Sequence, residues 1–181
     1  MGATNPDAGL RADARLTELG RGYPILAPWG PRAGIVLHRR VNDLTEVLLV
    51  HPGGPFWARR DLGVWSIPKG EYDAEEDPLA AALREFEEEL GSSAPDGHRD
   101  DLGEIRQRAG KVVRAWAVAG DLDVGRVQSN TFELEWPPRS GRTASFPEVD
   151  RAEWFELDLA REKIIAAQAA LLDRLAERLE R

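Results

Sequence analysis

The sequence predicts an α+β protein in which a mixed β-sheet is held between helices. Three observations favour this fold class: several short runs rich in β-branched and aromatic residues, one well-delimited helix among them, and an amphipathic segment near the carboxyl end. A length of 181 residues suits one domain with an extension. We therefore expect an extension over residues 1–31 and a single domain over residues 32–181.

The strands follow from short runs with high β propensity. They are predicted at residues 34–39, 46–50, 64–67, 102–108, 112–119, 132–136 and 154–157. Asn42 and Asp43 favour a turn, so the first two strands should form a hairpin. Residues 159–179 have the periodicity of one long amphipathic helix, and residues 12–19 form a helix candidate within the extension.

The central helix has the clearest boundaries in the sequence. Asp77 is a good N-cap residue, Pro78 suits the first helical position, and Gly91 stands where a helix commonly ends. Between them, residues 79–90 repeat apolar side chains at helical spacing. A helix is therefore predicted over residues 79–90.

Composition excludes several classes of function. A net charge of −8 argues against a general binder of nucleic acid duplexes, which would need many cations to neutralise phosphates. The absence of cysteine excludes disulfides and thiolate sites, and the three histidines lack metal-ligand spacing and are interpreted as structural or surface residues. The sequence has no apolar run of about 18 residues, so no membrane partner is expected. We expect a soluble, cytoplasmic protein.

Three glutamates share one face of the central helix. At about 100° per residue, Glu85, Glu88 and Glu89 fall together, whereas Glu87 points elsewhere. Neighbouring carboxylates repel unless a cation lies between them, and Mg²⁺ prefers oxygen ligands, with Mn²⁺ as a substitute. A solvated acidic face is the alternative interpretation, and the residues around the helix decide between the two.

The spacing around this face resembles the Nudix box, which runs here from Gly70 to Gly91. The matching residues are Gly70, Glu76, Arg84, Glu85, Phe86, Glu88, Glu89 and Gly91. Ser92 departs from the aliphatic residue usual in the family, a change that should affect packing rather than chemistry. The resemblance implies an α/β/α sandwich and Mg²⁺-dependent hydrolysis of a nucleoside diphosphate linked to a further group.

The resemblance also implies where the metal is held. Glu85, Glu88 and Glu89 match the metal-binding and catalytic glutamates, and the backbone carbonyl of Lys69 matches a further metal ligand. The proton of the attacking water would pass to Glu85, Glu89 or Glu148, and the sequence leaves this choice open.

Residues around the metal ligands have implied roles as well. Arg84 resembles the arginine that holds a catalytic glutamate in place, and Gly70 and Glu76 match box positions that support the ligands. Glu148 precedes Trp154 by six residues, which resembles an acid outside the box that binds metal or acts as a base in several members. Glu148 is therefore a candidate catalytic residue and metal ligand.

The expected partner is a small nucleotide. Around the box, the sequence is most similar to diadenosine tetraphosphate hydrolases and predicted NTP pyrophosphohydrolases. The alternatives are a nucleotide-sensing module without turnover and an ADP-ribose or 8-oxo-dGTP hydrolase. Many Nudix proteins are homodimers, so a homodimer is a further expectation. Candidate substrate-binding residues are Arg106, Arg108, Lys111, Arg114, Trp136 and Arg139, because cations bind phosphates and aromatic rings stack on bases.

Overall fold

The computed structural model describes residues 30–73, 75–107 and 110–181. The strands in these residues are β1 (Arg32–Val41), β2 (Leu44–Pro52), β3 (Lys69–Glu71), β4 (Asp100–Arg106), β5 (Val112–Ala119), β6 (Thr131–Glu135), β7 (Thr143–Pro147) and β8 (Val149–Glu156). The α-helices are α1 (Pro78–Leu90), α2 (Leu157–Lys163) and α3 (Ala169–Leu179). The predicted helix over residues 12–19, nearly all of the predicted extension, and Arg108 lie outside the described residues.

The main sheet is mixed, as predicted. Its order is β4-β5-β1-β2-β8, and β3 pairs with the first residues of β1. Strands β1 and β5 are parallel, whereas β2 and β3 both run antiparallel to β1. The short β3 therefore joins the sheet beside Ala33 and Gly34 and places the Lys69–Glu71 segment at one end of it.

Apolar side chains cover both faces of this sheet. One face packs against α1, through buried residues that include Ala81, Ala82, Phe86 and Leu90. The other face packs against α2 and α3, through buried residues that include Ala160, Leu171, Leu172 and Leu175. Burial of apolar surface on both faces stabilises the layered arrangement. The predicted fold class, a mixed sheet between helices, is confirmed.

The boundaries of α1 confirm the prediction from its capping residues. Asp77 Oδ1 accepts a hydrogen bond from the Ala80 amide at 2.9 Å, and Pro78 occupies the first turn. The helix ends at Gly91, whose φ of 70° lies in the left-handed region. A Cβ at Gly91 would also approach the Gln128 carbonyl oxygen to 2.8 Å. The glycine therefore ends α1 and allows the following chain to pack closely against it.

Two predicted elements are wrong. Residues 64–67 form bridges at Trp65 and Ser66 rather than a strand, and regular pairing begins only at Lys69. Pro68 lacks the amide needed for a continuous ladder, which explains the delay. The predicted helix over 159–179 is broken, because Ile164 is extended and the Ile165 amide donates to the Trp65 carbonyl at 2.8 Å. None of the helices in the described part of the chain has the length and apolar character needed to cross a bilayer.

Residues 131–146 form a hairpin that is a separate compact unit from the body made of residues 30–130 and 147–181. Strand β6 was predicted, whereas β7, which pairs with it, was not. The rings of Phe132 and Phe146 lie 6.1 Å apart across the two strands. Cross-strand aromatic pairs of this kind stabilise a hairpin.

Candidate functional site

The box segment and helix α1 meet at Gly70. Glu85 is only 4% exposed, and its side chain lies directly against the Gly70 backbone. A Cβ on residue 70 would lie 1.7 Å from Glu85 Oε2, so only glycine leaves room for the carboxylate. This close approach fixes the position of one predicted metal ligand relative to β3.

Arg84 binds several acids of the box at once. Its Nε and Nη2 donate to the two carboxylate oxygens of Glu76 at 3.0 and 3.1 Å. Its Nη1 donates to Glu85 Oε1 at 2.7 Å and to Glu88 Oε1 at 3.2 Å. The bonds to Arg84 hold the pKa of Glu76 below its usual range, and the bonds to Glu76, Glu85 and Glu88 raise the pKa of Arg84. Arg84 thus contacts Glu88 on the next turn of the helix as well as Glu85 beside it.

Glu89 lies on the other side of this cluster and contacts the box segment. Its Oε2 accepts a hydrogen bond from the Lys69 amide at 3.2 Å. Burial raises the pKa of Glu89 to about 7; the Lys69 charge and amide oppose the rise, and the charges of Glu85 and Glu148 add to it. Glu148 follows Glu89 by 59 positions in the sequence, and the fold brings its charge close enough to influence Glu89.

These carboxylates suit a hard divalent cation by their chemistry. Glu85, Glu89 and Glu148 are oxygen donors, and the charges of Glu85 and Glu148 add to the rise that burial causes in the pKa of Glu89, a repulsion that a cation would relieve. Among the described residues, no group of three or more Asp, Glu or His side chains is arranged so that it could hold a metal ion. The chemistry of these oxygen donors suits Mg²⁺ or Mn²⁺, whereas their arrangement is not that of a coordinated metal. Glu87 is exposed, in agreement with its predicted position away from the other glutamates.

The predicted phosphate-binding cations do not share one surface. Arg106 is exposed at the end of β4. Lys111 is 4% exposed and lies two positions before Val113, which packs on the α2 and α3 side of the sheet. Arg114 is half-buried and donates to Asp101 at 2.6 Å, a bond that lowers the pKa of Asp101. A role for these cations in substrate binding stays a prediction.

The two predicted substrate-binding residues of the hairpin lie at its turn. The Trp136 amide donates to the Arg142 carbonyl at 2.8 Å. Arg139 is exposed, and its φ of 63° places it in the left-handed region, as the tight turn requires. Their contact with a substrate also stays a prediction.

Two residues near the site carry contacts that the sequence did not indicate. Gln168 is fully buried, and its Oε1 accepts a hydrogen bond from the Ile67 amide at 3.0 Å, just before Lys69. His51 is fully buried between Asp150 and the Arg60 carbonyl. Gln168 and Asp150 lie about a hundred positions from their partners, so no local pattern reveals these contacts.

The profile of the NUDIX domain matches residues 28–175 of the chain. The chain belongs to the NUDIX domain family. The predicted family is therefore confirmed, and the box residues described above are those of a Nudix protein.

Two curated relatives match shorter stretches. The RNA pyrophosphohydrolase of Acidiphilium cryptum (strain JF-5) is 49% identical over 70 residues, which is 35% of this chain and 40% of that protein. The RNA pyrophosphohydrolase of Gluconacetobacter diazotrophicus is 52% identical over 40 residues, which is 22% of each protein. The chain thus spans two fifths or less of the length of these relatives.

Two solved structures are matched by this chain over nearly the whole of their own length. An Ap4A hydrolase of C. elegans in a binary complex has a TM-score of 0.58 and 25% identity, covering 83% of this chain and 98% of that chain. The NUDIX domain of Shewanella oneidensis NrtR, complexed with ADP ribose, has a TM-score of 0.56 and 19% identity, covering 92% and 98%. The second similarity shows the shared fold alone.

Proposed function

We propose that this Nudix protein is a Mg²⁺-dependent pyrophosphohydrolase that cuts a phosphoanhydride bond in a nucleoside diphosphate linked to a further group. The observation that carries the proposal is the contact between Gly70 and the Glu85 carboxylate, together with the Lys69–Glu89 hydrogen bond. These two contacts hold carboxylates from two turns of α1 against one short strand. A solvated acidic face would not need a glycine whose missing side chain leaves room for a buried glutamate.

The residues divide the chemistry among them. Glu85, Glu88 and Glu89, with the Lys69 carbonyl and Glu148 as further ligands, would hold a divalent cation, which would neutralise charge and make an attacking water more acidic. Arg84 fixes the rotamers of Glu85 and Glu88 through its hydrogen bonds. Glu76 in turn holds Arg84 by two hydrogen bonds. Glu85, Glu89 or Glu148 takes the proton of the water.

Dinucleoside polyphosphates, with diadenosine tetraphosphate first, and NTPs are the leading substrate candidates. The similarity to an Ap4A hydrolase over 83% of the chain supports this choice. ADP-ribose and 8-oxo-dGTP are the alternatives, and a cytoplasmic location and a homodimer belong to the same proposal.

RNA is a second candidate, which the sequence-based predictions did not include. The curated relatives that match at 49% and 52% identity are both RNA pyrophosphohydrolases. A pyrophosphohydrolase acting on RNA must cleave a phosphoanhydride, which an RNA chain carries at a 5′-polyphosphate end. Recognition of one chain end agrees with a net charge of −8, because it requires few phosphate contacts.

The test is Mg²⁺-dependent turnover on a panel of diadenosine tetraphosphate, NTPs, 8-oxo-dGTP, ADP-ribose, NADH and a 5′-triphosphorylated RNA. Glu88→Gln should abolish most turnover and leave folding intact, because it removes a charged ligand from an exposed edge of the cluster. Glu87→Gln is the matched control and should leave turnover unchanged, since Glu87 points to solvent.

The outcomes separate the hypotheses. ATP plus AMP from diadenosine tetraphosphate would assign a dinucleoside polyphosphate hydrolase, and pyrophosphate release from RNA would assign the second candidate. Equal effects of Glu88→Gln and Glu87→Gln would contradict the site. Nucleotide binding with no turnover on any compound would favour a sensing module.

A further inference from the structure

His51, at the end of β2, joins two segments that are distant in sequence. Its ring is fully buried, with Nδ1 2.7 Å from Asp150 Oδ1 and Nε2 2.8 Å from the Arg60 carbonyl oxygen. Both partners are acceptors, so each of the two hydrogen bonds needs a proton on the ring nitrogen that faces it. One side chain thus connects the start of β8 to the loop that follows β2.

The orientation of this ring is fixed by packing. The His51 and Trp65 rings pack in a T-shaped arrangement, with 5.0 Å between ring centroids. Trp65 is itself fully buried, packs against Phe155 at 4.8 Å, and donates from Nε1 to Asp61 at 3.1 Å. The imidazole therefore holds its two hydrogen bonds in one arrangement.

The segment that His51 holds contains an irregularity beside Glu148. The register between β2 and β8 shifts between His51 and Pro52, and Asp150 is the extra residue on β8. A β-bulge bends its strand and changes the direction of nearby side chains. Asp150, the residue that His51 binds, is therefore the residue that creates the bulge.

Glu148 is held from the same loop by its backbone. The Gly53 amide donates to the Glu148 carbonyl at 2.9 Å. A Cβ on Gly53 would lie 1.9 Å from the Pro147 carbonyl oxygen, so the two backbones touch at this point. The Glu148 charge in turn acts on Glu89 in the cluster of α1.

We infer that His51 is a positioning residue, which holds the Asp150 bulge and the following loop so that the Glu148 carboxylate points toward the glutamates of α1. Glu148 would contact the cation or the water, and His51 acts only through it. The inference rests on the proposed function in one respect, the role of Glu148.

Two substitutions separate the two hydrogen bonds of the ring. In His51→Asn the amide nitrogen stands near the place of Nδ1 and keeps a donor toward Asp150. In His51→Gln it stands near the place of Nε2 and keeps a donor toward Arg60 alone. Because the bond to Asp150 holds the bulge, His51→Gln should lower kcat by about 10- to 100-fold with KM within about twofold. His51→Asn should retain most of kcat.

A double-mutant cycle distinguishes positioning from a general loss of packing. If His51 acts through Glu148, adding His51→Gln to Glu148→Gln should lower kcat no further. Additive losses would overturn the inference. His98→Gln is the matched control, because His98 is exposed and its Nε2 pairs with Asp100, two positions along the chain.

Mn²⁺ affinity gives a readout that does not depend on turnover. Titration followed by electron paramagnetic resonance of free Mn²⁺ should show equal weakening by Glu148→Gln, His51→Gln and the double variant. If His51→Gln does not fold, Asp150→Ala removes the other partner of the same hydrogen bond at a more exposed position. It should give the same non-additive pattern.

The two hypotheses fail in different ways. Non-additive Mn²⁺ binding in a protein that hydrolyses nothing would support the positioning role and contradict the proposed function. Turnover and Mn²⁺ affinity both unaffected by Glu148→Gln would overturn the positioning role and leave the glutamates of α1 as the site.

Discussion

Arg39 and Arg84 each bind more than one acid, and they differ in what surrounds them. Arg39, on β1, donates to Glu46 at 2.8 Å and to Asp121 at 2.6 Å, and stacks on Trp154 at 4.2 Å. Arg84, on α1, binds Glu76, Glu85 and Glu88 and a backbone carbonyl. We call them the Arg39 cluster and the Arg84 cluster.

The charge balance separates the two clusters. In the Arg39 cluster one cation binds two acids, and Asp121 is largely exposed to water. In the Arg84 cluster one cation binds three acids, of which Glu85 is buried, and Glu89 lies alongside with its pKa raised to about 7. An excess of partly buried carboxylates is unfavourable without a cation. Such an excess is typical of a functional site rather than of a stabilising surface network.

Gly70→Ala should have the largest effect on the Arg84 cluster. The added Cβ would displace the Glu85 carboxylate, so kcat should fall by roughly 100-fold or more, as for a misplaced catalytic group. Gly30→Ala is the control, because its Cβ would meet only an ordinary contact at 3.6 Å from the Tyr72 carbonyl oxygen. Steady-state kinetics beside thermal unfolding would check this, and normal turnover in Gly70→Ala would contradict the site geometry.

Arg84→Lys should have the second-largest effect on kcat. A lysine keeps the charge but cannot make the paired bonds to Glu76 while also reaching Glu85 and Glu88. We expect kcat to fall by about 10- to 100-fold. Arg39→Lys should leave kcat within about twofold, and equal losses in both variants would remove the distinction between the clusters.

The stability of the metal-free protein should depend on pH through Glu89. Its pKa is raised from 4.5 to about 7, so the folded state holds this proton more tightly than the unfolded chain. The free energy of unfolding should therefore fall by roughly 3 kcal/mol as pH rises from about 4.5 to about 7, and level off above it. Chemical denaturation of Glu89→Gln should lack this contribution; identical pH profiles would contradict it.

Arg39→Met should have the smallest effect. The pair with Asp121 is largely exposed and the pair with Glu46 is partly exposed, and such pairs contribute little, so we expect a loss of about 1 kcal/mol in the free energy of unfolding, partly from the contact with Trp154. Turnover should not change. A large loss of activity measured in this variant would show that the Arg39 cluster also supports the site.

The sequence was sufficient where local chemistry decides the structure. Asp77, Pro78 and Gly91 delimit α1 because capping depends on residues within one turn of each helix end. The spacing of Glu85, Glu88 and Glu89 indicated the candidate site for the same reason. The prediction of one helix over 159–179 was wrong because the Ile165 amide binds the Trp65 carbonyl, a partner too distant in sequence for any local pattern to reveal.

By itself, then, the sequence determined the family, the fold class and the glutamate face of α1, since these follow from spacing along one chain segment. Only the tertiary structure decided that the charge of Glu148 adds to the rise in the pKa of Glu89, and that His51 binds Asp150, 99 positions away. Contacts of this range depend on strand order and on a register shift between β2 and β8, which are set by packing of the whole sheet.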